Sequence, residues 1–230
     1  MKIIGNTEDR VMVYKIEAAR FSWLIIEQAY KKLIENLKLL TTEYTHDLAL
    51  NTITTTWAII DNSFRFLRLM EQLRGLKHKN IQDALNYVEK IENFRNYIQH
   101  LNTEVNKLPE EIYPILGAIS WPSNDLLESF AISVGTIPPG TIMNSLAFNV
   151  LTKKCQPDII FNALNYSLNI SELFKIINKT NNYLNEWLME NNFLINKDGG
   201  GNLFRVKFPT EGVFPNEIKR IKIKLRTYKK

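Results

Sequence analysis

The sequence predicts a mainly α protein: an antiparallel helical bundle with a small β excursion and basic C-terminal strands. Three observations carry that expectation. Three long stretches before Pro109 place apolar residues at alternating steps of three and four, the repeat of one helical face. Short links join them, as antiparallel neighbours require. Beyond Pro109 the spacing shifts towards two, the repeat of a half-buried strand. We read residues 1–230 as a single domain. Residues 1–109 hold the three long helices, 110–140 the β excursion, 141–192 further helices and 193–230 a basic, β-rich segment.

The first helix spans about 7–40. Met12, Ile16, Ala19, Trp23, Ile26, Tyr30, Leu33, Leu37 and Leu40 form an unbroken seam suited to antiparallel packing or a coiled coil. Packing is favoured, because equally long helices follow. Thr41-Thr42-Glu43 breaks the chain. The second helix, about 47–74, carries Leu50, Ile53, Trp57, Ile60, Phe64 and Leu67. Thr54-Thr55-Thr56 is a poor helix former, so packing must support that turn. Gly75 is placed to stop the helix. Asp61 sits one residue round from the stripe, where it either meets Arg95 or His100 on the third helix or pairs locally with Arg65.

Asn80 and Asp83 resemble a capping box that opens a third helix over about 80–108. Its stripe is Leu85, Val88, Ile91, Phe94, Ile98, Leu101, Val105 and Leu108, and Pro109 ends it. Asn96 and His100 are four apart and point the same way, roughly opposite Ile98. Arg95 is adjacent in direction to Asn96, and its long side chain is expected to reach a group held by Asn96 and His100. Arginine offers a permanent cation and a fork of donors suited to phosphate. Histidine moves protons near neutral pH.

Residues 116–122 and 129–134 look extended, and Ile137-Pro138-Pro139-Gly140 is a turn. A short helix is expected over 141–152. Helical signals return over 157–168 and over 171–191, the latter capped by Ser171. Its apolar side is Leu173, Ile176, Ile177, Leu184, Trp187 and Leu188. Phe204, Val206 and Phe208 alternate with Arg205 and Lys207. Ile221, Ile223 and Leu225 alternate with Lys222, Lys224 and Arg226. These cationic strand faces either contact RNA phosphates or keep an edge strand from aggregating. Trp23, Trp57 and Trp121 are read as core, not as base-stacking platforms.

Composition bounds the chemistry. The net charge of +5 mildly favours polyanionic partners. Cys155 is the only cysteine, so no internal disulfide or CxxC zinc site can form. His46, His78 and His100 are too scattered for a metal cluster. No apolar run approaches the ~18 residues of a membrane span. The N-terminus turns acidic at Glu8-Asp9 before a signal-peptide core could form, so a cytoplasmic protein is expected.

Arg95-Asn96-x-x-x-His100 resembles the arginine-x4–6-histidine motif of the HEPN superfamily, with its usual polar residue directly after the arginine. Ile115-Leu116-Gly117-Ala118-Ile119-Ser120-Trp121 is similar to an extended Gly- and Trp-containing segment that follows the motif in some HEPN-like proteins. The similarity covers mainly residues 10–122. It implies a helical core that dimerises through the motif-bearing helices, so that two motifs line one cleft. It also implies a metal-independent endoribonuclease without cofactor, acting on RNA as a toxin or defence effector, with an antitoxin or regulatory protein as a further partner. His100 would be the general acid/base, Arg95 would hold the scissile phosphate and Asn96 would orient one of them. Asp61 and Tyr97 would support the site. Antitoxin-partnered toxins often carry tyrosine two residues after the histidine. Here that position is Asn102, which counts against AMPylation. Some branches of the superfamily have lost catalysis and serve as scaffolds, so an inactive adaptor or RNA-binding protein is the alternative.

Overall fold

A computed structural model describes residues 7–76, 78–104, 116–123, 125–126, 128–134, 148–149, 154–155, 158–163 and 166–190. Helix α1 (Thr7–Leu40) has the bounds its seam predicts. Ile16, Ala19, Ile26, Leu33, Leu37 and Leu40 are buried, and Met12, Trp23 and Tyr30 pack beside them. The chain then reverses through Thr41 and Thr42 into α2 (His46–Glu71), which runs back along α1. The Thr45 side chain accepts the Leu48 N–H at 3.2 Å, capping α2.

Helix α2 lies between α1 on one side and α4 on another. Its buried face is therefore wider than the predicted stripe. It includes Thr52, Thr56, Ser63, Phe66 and Met70, whereas Leu50 is 44% exposed. Polar Thr52 and Thr56 can be buried because their hydroxyls donate to the carbonyls of Leu48 and Thr52, at 2.7 and 2.9 Å. The helix ends at Glu71, three residues earlier than expected. Gly75 does not stop it. Instead Gly75 adopts φ +84° in the turn beyond, and its carbonyl accepts the Trp187 indole N–H at 3.2 Å.

The expected third helix is segmented. A 3-10 turn (His78–Ile81) leads into α3 (Gln82–Leu85), then α4 (Val88–Gln99) and α5 (Leu101–Glu104). Near the first break, Tyr87 lies close to Glu172 of the last helix; burial and that carboxylate raise its pKa above the ordinary tyrosine range. A raised pKa means the phenol stays neutral in the fold after it would ionise in the open chain. Its stabilisation is thus full below the unfolded pKa and lost as pH rises through the folded one. We expect Tyr87→Phe to leave stability at neutral pH within about 0.5 kcal/mol of the parent and to flatten the alkaline loss of stability. Urea unfolding at neutral and alkaline pH reads both. The Pro109 stop lies outside the described residues.

Strands β1 (Ala118–Pro122) and β2 (Ser129–Ser133) form the expected antiparallel excursion, with Ser120 opposite Ala131. A two-residue pair, β3 (Phe148–Asn149) with β4 (Lys154–Cys155), is separate. The expected helix at 157–168 is two strands, β5 (Ile160–Ala163) and β6 (Tyr166–Asn169). They complete a four-stranded sheet of order β2-β1-β5-β6. A short apolar run does not by itself distinguish helix from strand. Here β1 is available as a partner, and Ile159, Phe161 and Ala163 alternate inward. Of the further helices expected over 141–192, the described residues therefore hold one, α6 (Ile170–Glu190). Its cap is Asn169, whose side chain accepts the Glu172 N–H at 2.9 Å. Ser171 is buried and accepts the Ile159 N–H instead. The rest of the 141–152 expectation and all of 193–230 lie outside the described residues.

Aromatic rings join bundle to sheet. Trp57 of α2 meets Phe161 of β5 edge-on at 5.2 Å, and Phe94 of α4 lies 6.0 Å from Phe161 and 5.7 Å from Tyr166. The Trp57 indole donates to the Leu116 carbonyl at 2.9 Å, and the Trp121 indole to the Thr41 hydroxyl at 3.2 Å. These contacts hold α4 and the sheet in fixed relation to α2.

Candidate functional site

Helix α4 buries Val88, Ile91, Phe94 and Tyr97. Arg95 follows Phe94 and so falls at the edge of that buried face, against α2. Its Nε donates to Asp61 Oδ1 at 2.7 Å, and its guanidinium lies over the Phe64 ring, 4.2 Å from the centroid. The side chain is 18% exposed. Asp61 uses its other oxygen to accept Arg65, at 2.6 Å. Both readings of Asp61 therefore hold: it pairs within α2 and reaches the motif arginine.

A second cation shares the same ring. The Arg68 guanidinium is 5.2 Å from the Phe64 centroid and bonds Glu92 of α4 at 3.0 Å and Glu71 at 3.1 Å. Phe64 thus serves as a platform for two arginines, each matched by carboxylates. The sequence marked Phe64 only as core. The signal that pointed further was Arg65 and Arg68, which follow Asp61 at helical spacing on α2.

Among the described residues, Arg95 is bonded only through Nε. Asp61 fixes the fork along one edge, and Phe64 fixes its plane. Among the described residues nothing bonds the two terminal amino groups, and their orientation is set, the geometry that holds a phosphate bidentately.

Asn96 and His100 are exposed. The His100 N–H still closes the last turn of α4 on the Asn96 carbonyl at 3.0 Å, so the two stack one turn apart. His100 is the C-terminal cap, with φ −107° and ψ 21°. Five residues separate it from Arg95, about 140° of rotation. Arg95 accordingly faces the α2 groove, and His100 faces the open side of α4. Among the described residues no hydrogen bond or ion pair joins them. Tyr97, at 3% exposure, belongs to the core and not to the face of Asn96 and His100.

The five cations at Arg205, Lys207, Lys222, Lys224 and Arg226 lie outside the described residues. Among the described residues no cluster of three His, Cys, Asp or Glu could hold a metal, and no helix is long and apolar enough to cross a membrane. No protein-family model, no curated protein and no solved structure matches the chain.

Proposed function

We propose that the protein is a metal-independent endoribonuclease of HEPN type, with a role as a toxin or defence effector. It would cleave RNA at a site shared by two copies. One observation carries this reading: Arg95 is held by Asp61 and Phe64 with its terminal amino groups free among the described residues. A phosphate-binding arginine is most effective when its orientation is set before substrate arrives.

His100 of one copy accepts the ribose 2′-hydroxyl proton or donates to the departing 5′-oxygen. Arg95 of the other copy neutralises the charge that grows on the non-bridging oxygens. Asn96 hydrogen-bonds the histidine or the phosphate. The 2′-oxygen attacks its own phosphodiester, the P–O5′ bond breaks, and a 2′,3′-cyclic phosphate and a 5′-hydroxyl are left. The 140° divergence within one chain is the reason to assign the two residues of a working pair to different copies.

The test is incubation of the purified full chain with single-stranded RNA in excess chelator, with analysis of the new ends. Cyclic phosphate and 5′-hydroxyl ends are expected. RNA that stays intact, or 5′-phosphate ends, would overturn the reading. A second reading is favoured by the ion pair itself. Asp61 already satisfies the charge of Arg95, as it would in an inactive helical adaptor or RNA-binding protein. Binding of RNA without cleavage is the outcome that selects it.

A further inference from the structure

Helix α1 changes character along its length. Between residues 11 and 25, its exposed positions are Val11, Tyr14, Ala18, Leu24 and Ile25, all apolar, with half-buried Phe21 among them. Val11, Tyr14 and Ile25 are 45%, 59% and 46% exposed. Further on, Lys31, Lys32, Glu35 and Lys38 share the exposed side with Ile34 and Leu39, the mixed face of an ordinary solvated helix. Val11, Tyr14, Ala18, Phe21 and Ile25 are spaced three, four, three and four apart, a second seam on the side of α1 turned away from its own core.

We propose that this face pairs with the same face of a second copy, antiparallel, about a two-fold axis at Ala18. The pattern is self-complementary. Ala18 is the small residue at the centre, Val11 lies seven residues before it and Ile25 seven after. Antiparallel pairing sets Val11 against Ile25 of the second copy and Tyr14 beside Phe21 of the second copy, with the two alanines at the close approach. A patch that matches itself under a two-fold is what an isologous dimer needs, and a small residue at the crossing lets two helices approach to about 8 Å.

The area is also sufficient. The exposed parts of these side chains leave on the order of 400 Å² of apolar surface, the size of the largest patch on a typical monomer, which is often functional. A standard interface buries about 800 Å² per partner, a little over half of it apolar. No position of the seam is charged, and Lys15, Glu17 and Arg20 beside it are half-buried, which disfavours nucleic acid or an acidic protein as the occupant. The surface is separate from the α4 face, since α4 packs on α2. The pairing is therefore a contact of its own: loss of the α1 contact alone would leave the ribonuclease reading intact, whereas a chain that is single at all concentrations would overturn both.

The full-length protein is studied by sedimentation equilibrium and by cross-linking. Ala18→Glu sets an unpaired charge on the axis at a site that is exposed within one chain, so folding is retained. It is expected to weaken self-association about tenfold or more and to halve the assembly mass. In a Cys155→Ser background, Ala18→Cys is expected to cross-link two chains under mild oxidation, and Lys31→Cys is not. An unchanged mass for Ala18→Glu overturns the proposal. So does an Ala18→Cys variant that cross-links no faster than Lys31→Cys, or a wild-type chain that is single at all concentrations.

Discussion

Gly117→Ala is expected to destabilise the fold by about 3 kcal/mol or more, a loss of about 6–12 °C in Tm for a chain of this length. Two costs combine. Gly117 holds φ +109°, where L side chains are strained. A Cβ there would also overlap the Phe161 ring. That ring has no room to retreat. Phe161 is fully buried and wedged between Trp57 and Phe94. Gly75→Ala separates the two costs. Gly75 also has a positive φ, +84°, but a Cβ there would meet only Trp187, at 3.7 Å. It should lose about 1 kcal/mol, the conformational part alone. Urea unfolding of both variants tests the difference. Equal losses would show that the Phe161 contact does not matter. A Phe161→Leu background should recover the steric part of the Gly117→Ala loss and leave the conformational part.

That contact also gives physical content to one of the resemblances in the sequence. In the sequence, Gly117 and Trp121 are only a pattern of residue types. In the fold, Gly117 lets the chain pass over Phe161, and Trp121 ties β1 to the α1–α2 turn through Thr41. Both positions are accounted for by packing, without any role at the reacting atoms.

Legibility followed the strength of the periodicity. The α1 seam repeats nine times, and its ends could be read from the sequence because Thr41 and Thr42 interrupt it at once. Helix α2 was legible as a helix, but its buried width was not. Thr52, Thr56 and Ser63 look like surface residues until a second packing partner, α4, is known. Segment 157–168 was misread because strand and helix share the same apolar residues there, and only the presence of β1 decides between them. The segmentation of the third helix was invisible for a related reason. The apolar stripe continues across both breaks, at Asn86–Tyr87 and at His100, so the spacing carries no mark of either. At the site, Asp61 was legible as a partner for Arg95, His100 or Arg65, without a choice among them. Phe64 as a shared platform was not, since an aromatic on an apolar stripe reads as core.

The divergence of Arg95 and His100 makes a sharper prediction than the loss of activity in either variant. In the proposed ribonuclease, Arg95→Ala would remove the phosphate fork and His100→Ala the proton carrier. Each alone should lower RNA cleavage by about 10²–10⁴-fold. Their mixture distinguishes the two possible architectures. If each working pair drew Arg95 and His100 from one chain, every chain in the mixture would lack one of them, and no activity would return. If each pair combines Arg95 of one copy with His100 of the other, a mixed dimer has one dead pair and one intact pair. With random exchange half the dimers are mixed, so about a quarter of the wild-type rate should return. The readout is the cleavage rate after the two variants are unfolded and refolded together, against each refolded alone. Recovery near that level supports a shared site and the pairing of motif faces it requires. Two dead variants that stay dead together, while mixed dimers are shown to form, would place Arg95 and His100 of one chain at one phosphate. The open face of α4 would then have to turn towards α2, against the geometry that Asp61 and Phe64 impose on Arg95.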